Sequence, residues 1–331
     1  MPPLILAHVR YVTPPVPSPD PLRFLLGVLG NPGHLLLLGA GGLAVLLVVG
    51  TWARWRPLEG RRLAFIARAE GYWPFVPWML RLSGGLLLLG AGTTRVLFAP
   101  DVAPEGLPYI LLTAIGFFLL LGVGVRVAAA AGLVIYAIGL WIQPALVEIW
   151  DVTGALAAVV VAGAGRPSLD DLLRTTVRTP PDPSRDAETE VARHHDLVAL
   201  IVRLGLGGSL LASGVVDKLL VYNRALDTVA HYHLTSVIPV DPGMWVIGAA
   251  LVESGLGLVI IAGLLTRASA ILAFLVLTLA LFGLPDDPVI AHVGLFGLSS
   301  VLVVTGGGRW SVDAILRRVD PWLRRSAPEL A

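Results

Sequence analysis

ALIVRLGLGGSLLASGVVDKLL, residues 199–220, and GMWVIGAALVESGLGLVIIAGL, residues 243–264, decide the fold of this chain. Each is apolar all round for roughly the 20 residues a helix needs to cross a hydrocarbon core. Neither alternates apolar with polar residues as a membrane β-strand would, so the fitting structure is a helix, whose backbone polar groups are satisfied internally. Both also carry charge. Asp217 and the chain's single lysine, Lys218, lie near the end of the first stretch, and Glu253 lies near the middle of the second. An ionised carboxylate at that depth costs at least about 2.5 kcal/mol unless it is protonated, paired or facing a polar cavity.

Outward from this pair, seven further apolar stretches stand at about 35–51, 81–98, 107–124, 127–142, 150–164, 268–284 and 289–305. The expected architecture is therefore all-α, a polytopic membrane bundle of about nine transmembrane helices. Composition agrees: 56% of residues are hydrophobic, only 14% are charged, and the mean hydropathy is +0.80. The net charge of +1 shows no basic patch for nucleic acid. The absence of cysteine excludes disulfides and thiolate metal sites in the chain itself. Residues 1–34 are broken by prolines and lack a basic lead into an apolar core, so they do not read as a signal peptide.

Loop charge sets the orientation. With the N-terminus outside, 19 of the 24 Lys and Arg residues fall on the inner side, while the outer loops hold acids such as Asp101, Glu105, Glu148, Asp151, Asp286 and Asp287. This arrangement requires an odd number of spans. It places the chain in a prokaryotic cytoplasmic membrane with its C-terminus in the cytoplasm.

The chain also resembles itself. Arg81-Leu-Ser-Gly-Gly answers Arg203-Leu-Gly-Leu-Gly-Gly, Gly122-Val-Gly-Val-Arg126 answers Gly263-Leu-Leu-Thr-Arg267, and Gly163-Ala-Gly-Arg-Pro-Ser-Leu-Asp170 answers Gly306-Gly-Gly-Arg-Trp-Ser-Val-Asp313. The offset is 122 at the first pair and 141 to 143 at the others, which implies an insertion of about 20 residues at 221–242. An even number of spans per unit predicts two parallel four-helix repeats plus one N-terminal helix. The expected divisions are an N-terminal segment with the first span and a basic loop at 1–78, a degenerate first unit at 79–174, a solvated linker at 175–196, the second unit at 197–316, and a basic tail at 317–331.

Chemistry concentrates in the second unit. Lys218 and Glu253 differ in depth by roughly 10 Å at 1.5 Å per helical residue, a gap two long side chains can bridge, and His292 opens the last span on the same side. Glu253, Lys218, His292 and Asp217 are thus the candidate ligand-binding residues. Three readings stay open for them: polar glue between helices, a site for a quinone headgroup or other polar tip of a lipophilic molecule, and a path for an ion or small solute. In the first unit the position of Glu253 falls at Leu112 or Thr113, so no second carboxylate matches it. Gly205, Ser209, Ser213 and Asp217 recur every fourth residue, which reads mainly as close helix packing, as does Gly39-Ala-Gly-Gly in the first span. His231 and His233 in the insertion lack a third metal ligand and belong to an interfacial loop flanked by Tyr222 and Tyr232. Arg126, Arg267, Arg166, Asp170, Arg309 and Asp313 read as structural or interfacial residues that open or cap the amphipathic tails of the two units.

The residues from Arg203 to Asp313, with Gly-Val-Val-Asp-Lys218, Pro-Val-Asp-Pro-Gly243, Val-Glu253-Ser-Gly, Gly-Leu-Leu-Thr-Arg267 and Gly-Gly-Gly-Arg-Trp-Ser-Val-Asp313, resemble the DoxX family of four-helix membrane proteins. The stretch at about 81–173 resembles it more faintly. The resemblance implies a membrane subunit or anchor working beside a redox enzyme, with the lipid bilayer and an oxidoreductase as partners and a quinone as the associated cofactor class. Any catalysis would then depend on the partner.

Overall fold

The computed structural model describes residues 18–55, 59–95, 107–177, 187–285 and 289–319, and among these every regular element is helical. The helices are α1 (Pro21–Leu29), α2 (Pro32–Trp55), α3 (Glu59–Glu70), α4 (Val76–Thr94), α5 (Leu107–Leu121), α6 (Val125–Ile142), α7 (Asp151–Ala162), α8 (Leu169–Val177), α9 (Ala187–Ala212), α10 (Tyr222–His231), α11 (Leu234–Val237), α12 (Pro242–Ala262), α13 (Thr266–Gly283), α14 (Val289–Thr305) and α15 (Val312–Val319). The protein is an all-α polytopic membrane bundle. Among the described residues six segments are long and apolar enough to cross a membrane, and Pro108–Leu121, Asp151–Ala162 and Val289–Thr305 are shorter apolar helices. The nine stretches expected from the sequence each fall on one of these nine elements. The expected acids Asp101, Glu105, Asp286 and Asp287, and the tail beyond residue 319, lie outside the described residues.

Four helices form the centre. α4, α7, α9 and α14 pack on one another and contribute Leu80, Leu88, Leu156, Val159, Leu206, Leu298 and Leu302 to a fully buried core. α5, α6, α12 and α13 surround them and turn Phe117, Phe118, Val127, Val134, Leu251, Val252 and Leu272 outward, as lipid-facing surfaces do. Lipid gives helices no hydrophobic reason to associate, so contact depends on close backbone approach at small residues. A Cβ on Gly154 of α7 would lie 2.5 Å from Cα of Gly205 of α9, and a Cβ on Gly297 of α14 would lie 2.5 Å from Cβ of Ser83 of α4.

A set of charged fasteners closes the end of the bundle away from Lys218. Arg81, buried on α4, donates from Nε to Leu119 O at 3.0 Å and from its terminal nitrogens to Leu120 O, Ala164 O and Pro167 O. Arg203, buried on α9, donates from Nε to Ile260 O at 3.1 Å and from its terminal nitrogens to Ile261 O, Gly307 O and Trp310 O. Each guanidinium thereby satisfies carbonyls left open at a helix C-terminus, where the macrodipole also favours a cation. Arg126 reaches Val160 O at the end of α7, and Arg267 reaches Val303 O and Val304 O at the end of α14. Aspartates serve the opposite helix ends: Asp170 accepts from Gly124 N at 2.9 Å, and Asp313 accepts from Leu265 N at 2.7 Å and Thr266 N at 2.8 Å. The charge count had placed Arg81 and Arg203 only among the inner-side cations; both are buried and tie helix ends together.

Three further expectations change. The linker expected at 175–196 is partly helix, because α9 begins at Ala187, while residues 178–186 lie outside the described part. The insertion at 221–242 folds as α10 and α11 rather than as a loop. In α2, Gly39, Gly41 and Gly42 have no atom within 4 Å of where a Cβ would sit, so no helix among the described residues packs on them.

Candidate functional site

α9 does not end as an α-helix. From Ser213 to Leu220 it widens into a π-helical turn, closed by Val221 N donating to Val216 O at 2.9 Å, a five-residue step. Such turns recur at functional sites because they re-aim side chains by one position. Here the turn lies tight on α12, since a Cβ on Gly214 would come 2.7 Å from Ala250 O and 2.8 Å from Ser254 N. The same five-residue step sets Lys218 over Ser213, whose Oγ accepts from Nζ at 3.2 Å.

One turn further along α12, Glu253 meets the lysine. Lys218 Nζ donates to Glu253 Oε2 at 2.6 Å, and the side chains keep 12% and 22% of their exposure respectively. The pair is shielded but not fully enclosed. Two more carboxylates act on the ammonium: Asp217 of the same π turn, 4% exposed, and Glu148 of the 3₁₀ turn at Pro144–Ile149, 8% exposed. One cation thus faces three acids in a low-dielectric layer, where charges interact far more strongly than in water.

The every-fourth-residue stripe does more than pack. Gly205 touches Gly154, but Ser209 Oγ donates to Glu148 O at 2.7 Å and lies 3.3 Å from Asp151 Oδ1. Ser213 is bound to Lys218, and Asp217 is buried beside it. The stripe therefore joins the ion pair to Glu148 and to Asp151, which is 1% exposed at the head of α7. Sequence reading had counted both acids only as loop charges. Their one sequence signal was that they flank the start of an apolar span.

His292 is fully buried on α14, its ring centroid 5.9 Å from that of Phe296, and α14 packs chiefly on α13, α4 and α9. It is not among the hydrogen-bond partners of Lys218 or Glu253. Of the four candidate residues the structure thus gathers Lys218, Glu253 and Asp217 and sets His292 on another helix. The six residues read as structural all lie at the opposite end, where Arg166 pairs with Asp171 at 3.2 Å and Arg309 stacks over Trp310 at 4.5 Å.

A cap covers the lysine end. α10 and α11 bury Ala225 and Val229 against Val246 of α12, and Trp245 Nε1 donates to Leu234 O at 3.2 Å. The segment leading into α1 clasps this cap: Phe24 stacks on Tyr222 with centroids 4.1 Å apart, Tyr222 Oη donates to Pro19 O at 2.8 Å, and Asn223 N donates to Ser18 Oγ at 3.1 Å. Arg224 is 4% exposed within it. Among the described residues no three His, Cys, Asp or Glu side chains gather as metal ligands, His231 and His233 included.

Chemically, the site offers a hydrogen-bond donor, an acceptor and a transferable proton, with Ser213, Asp217 and Glu148 beside them. No curated protein and no solved structure matches the chain. Residues 198–286, from α9 through α13 and including the Lys218–Glu253 pair, match the DoxX family model, and in this C-terminal part the protein is a DoxX-like integral membrane protein.

Proposed function

We propose that the protein is the membrane subunit of a redox system, in which the Lys218–Glu253 pair hydrogen-bonds the polar headgroup of a lipophilic carrier of the quinone class. The observation that supports this most is the pair itself: an ammonium and a carboxylate 2.6 Å apart, in the layer of the membrane-spanning helices, with part of each side chain accessible. A quinone headgroup presents carbonyl oxygens that an ammonium can bond and, once reduced, hydroxyls that a carboxylate can accept.

On this reading the two four-helix units are tandem copies, and only the second retains the site. At the offsets that relate the two sets of arginine ties, Ser213 corresponds to Ala91 and Glu253 to Leu112, both buried and apolar. The first copy then serves as scaffold. Because the chain has no cysteine, any thiol chemistry belongs to an oxidoreductase partner. The cation-rich ends of the helices face the cytoplasm on this reading, with the Lys218 end outside.

The test is quinone binding by the purified full-length protein, together with mass spectrometry of what co-purifies. Glu253→Gln and Lys218→Gln should each weaken quinone binding about tenfold, the size of one lost charge-assisted hydrogen bond. A protein that binds no quinone, co-purifies with no oxidoreductase and is indifferent to Glu253→Gln would end the proposal. Solute flux in proteoliposomes that depends on Glu253 would reassign the site to a carrier.

A further inference from the structure

The cap over the lysine end holds a cation that the redox reading does not use. The bundle answers its other shielded arginines with acceptors: Arg81 and Arg203 each meet four carbonyls, and Arg267 meets two carbonyls and Glu70. Arg224 is buried as well, at 4% exposure, yet no hydrogen bond or ion pair engages its guanidinium among the described residues. Its Nε is enclosed without an acceptor, and its terminal nitrogens lack acceptors too but are not enclosed. An unpaired guanidinium taken out of water is among the costliest groups a fold can bury.

The carboxylates of this end are committed elsewhere. Glu253 bonds Lys218 at 2.6 Å, and Asp241 accepts from Gly243 N and Met244 N at the start of α12. The charges of Asp217 and Glu148 act on Lys218, and Asp227, one turn further along α10, is exposed. None of them pairs with Arg224. Position adds to the imbalance, because Arg224 is the third residue of α10, whose first turn holds no acid and whose N-cap, Val221, makes no side-chain bond. The dipole at that end of a helix favours an anion and opposes a cation. Helical side chains lean toward the N-terminus of their helix, so the guanidinium and the positive end of the dipole act on the same space. The amide of Asn223 is already taken by Ser18 Oγ at 3.1 Å, which leaves the guanidinium as the group that needs a ligand.

Depth selects the ligand. One spanning segment ends at Leu220 and the next begins at Pro242, so α10 and α11 lie at the membrane boundary, in the headgroup layer. The abundant oxyanion of that layer is phosphate, which a guanidinium binds through two parallel hydrogen bonds. We propose that Arg224 is the centre of a phosphate-binding site within the α10–α11 cap, taking the phosphodiester of a phospholipid or free inorganic phosphate. The site is independent of the quinone reading.

Native mass spectrometry of the detergent-purified, lipid-depleted full-length protein tests it, with phosphatidylglycerol, diacylglycerol of the same chains and inorganic phosphate as probes. Tighter binding of phosphatidylglycerol than of diacylglycerol assigns the site to a lipid headgroup, whereas binding of inorganic phosphate without that preference assigns it to the free ion. In either case Arg224→Met, which keeps the apolar stem, should weaken the phosphate-bearing probe about tenfold or more. Thermal unfolding supplies a readout whose sign a structural tie would reverse. Arg224→Met should unfold a few degrees above the lipid-depleted parent, because it removes an unanswered charge, and the phosphate-bearing probe should stabilise the parent but not the variant. Failure of both phosphate probes to bind, binding that survives Arg224→Met, or a variant that unfolds well below the lipid-depleted parent would each overturn the proposal.

Discussion

The two halves of the bundle tie their helices in the same way but bury different chemistry. At one end, Arg81 and Arg203 hold four carbonyls each, Arg126 and Arg267 close the ends of α7 and α14, and Asp170 and Asp313 cap the starts of α6 and α13. At the other end the correspondence stops. At the sequence offsets of the proposed repeat, Ser213 falls at Ala91 and Glu253 at Leu112 or Thr113, and Ala91 and Leu112 are buried. Ties that satisfy helix ends are demanded by the backbone of any such unit, because an open carbonyl in lipid has no other partner. An ion pair is demanded by nothing in the fold. Where one half forms the same helices around leucine and alanine, the pair in the other half is an addition that packing does not require.

The largest effects should come from the ties. Arg203→Met strands four carbonyls and should cost on the order of 4 kcal/mol, with Arg81→Met costing the same within about 1 kcal/mol. Thermal unfolding in detergent measures both. If one variant were near neutral, the likeness between the halves would be superficial.

Next comes the ion pair. Glu253→Leu leaves a shielded ammonium without its nearest counter-charge and should cost about 3 kcal/mol. Adding Lys218→Met removes the stranded ammonium but leaves buried Asp217 and Glu148 without it, and should restore about half of that loss in the same assay. Failure of the double variant to recover would show that the pair holds the bundle together rather than occupying a dispensable site.

The seam between halves should be less sensitive. Gly154→Ala directs a methyl at the backbone of Gly205, and Gly297→Ala directs one at the Cβ of Ser83, which rotation of that side chain does not move, so each should cost about 2 kcal/mol. Unequal losses would mean that one seam yields where the other does not. The smallest effect belongs to the clasp over the lysine end: Phe24→Ala removes one stacked ring and should cost about 1 kcal/mol, read as faster proteolysis within residues 221–242. No change in cleavage would detach the N-terminal segment from the cap.

The helical membrane class and the placement of the nine apolar segments were legible in the chain, because length and hydropathy alone decide whether a segment can satisfy its backbone in lipid. Glu253 also announced itself, since a carboxylate within a 22-residue, otherwise largely apolar stretch has to be answered by something. The partners of buried charges were less legible. Arg81 and Arg203 look like loop cations until the chain folds and carbonyls from two other elements converge on each. Glu148 and Asp151 look like loop acids until the head of α7 is packed on Ser209. His292 is buried on a third helix, α14, which packs on α9. Sequence by itself determined what the solvent is and that residue 253 needs a polar neighbour; only the tertiary structure decided which neighbour, because lateral position around a bundle is set by close approach at glycines such as Gly154, Gly205 and Gly214, a contact made between helices far apart in the chain.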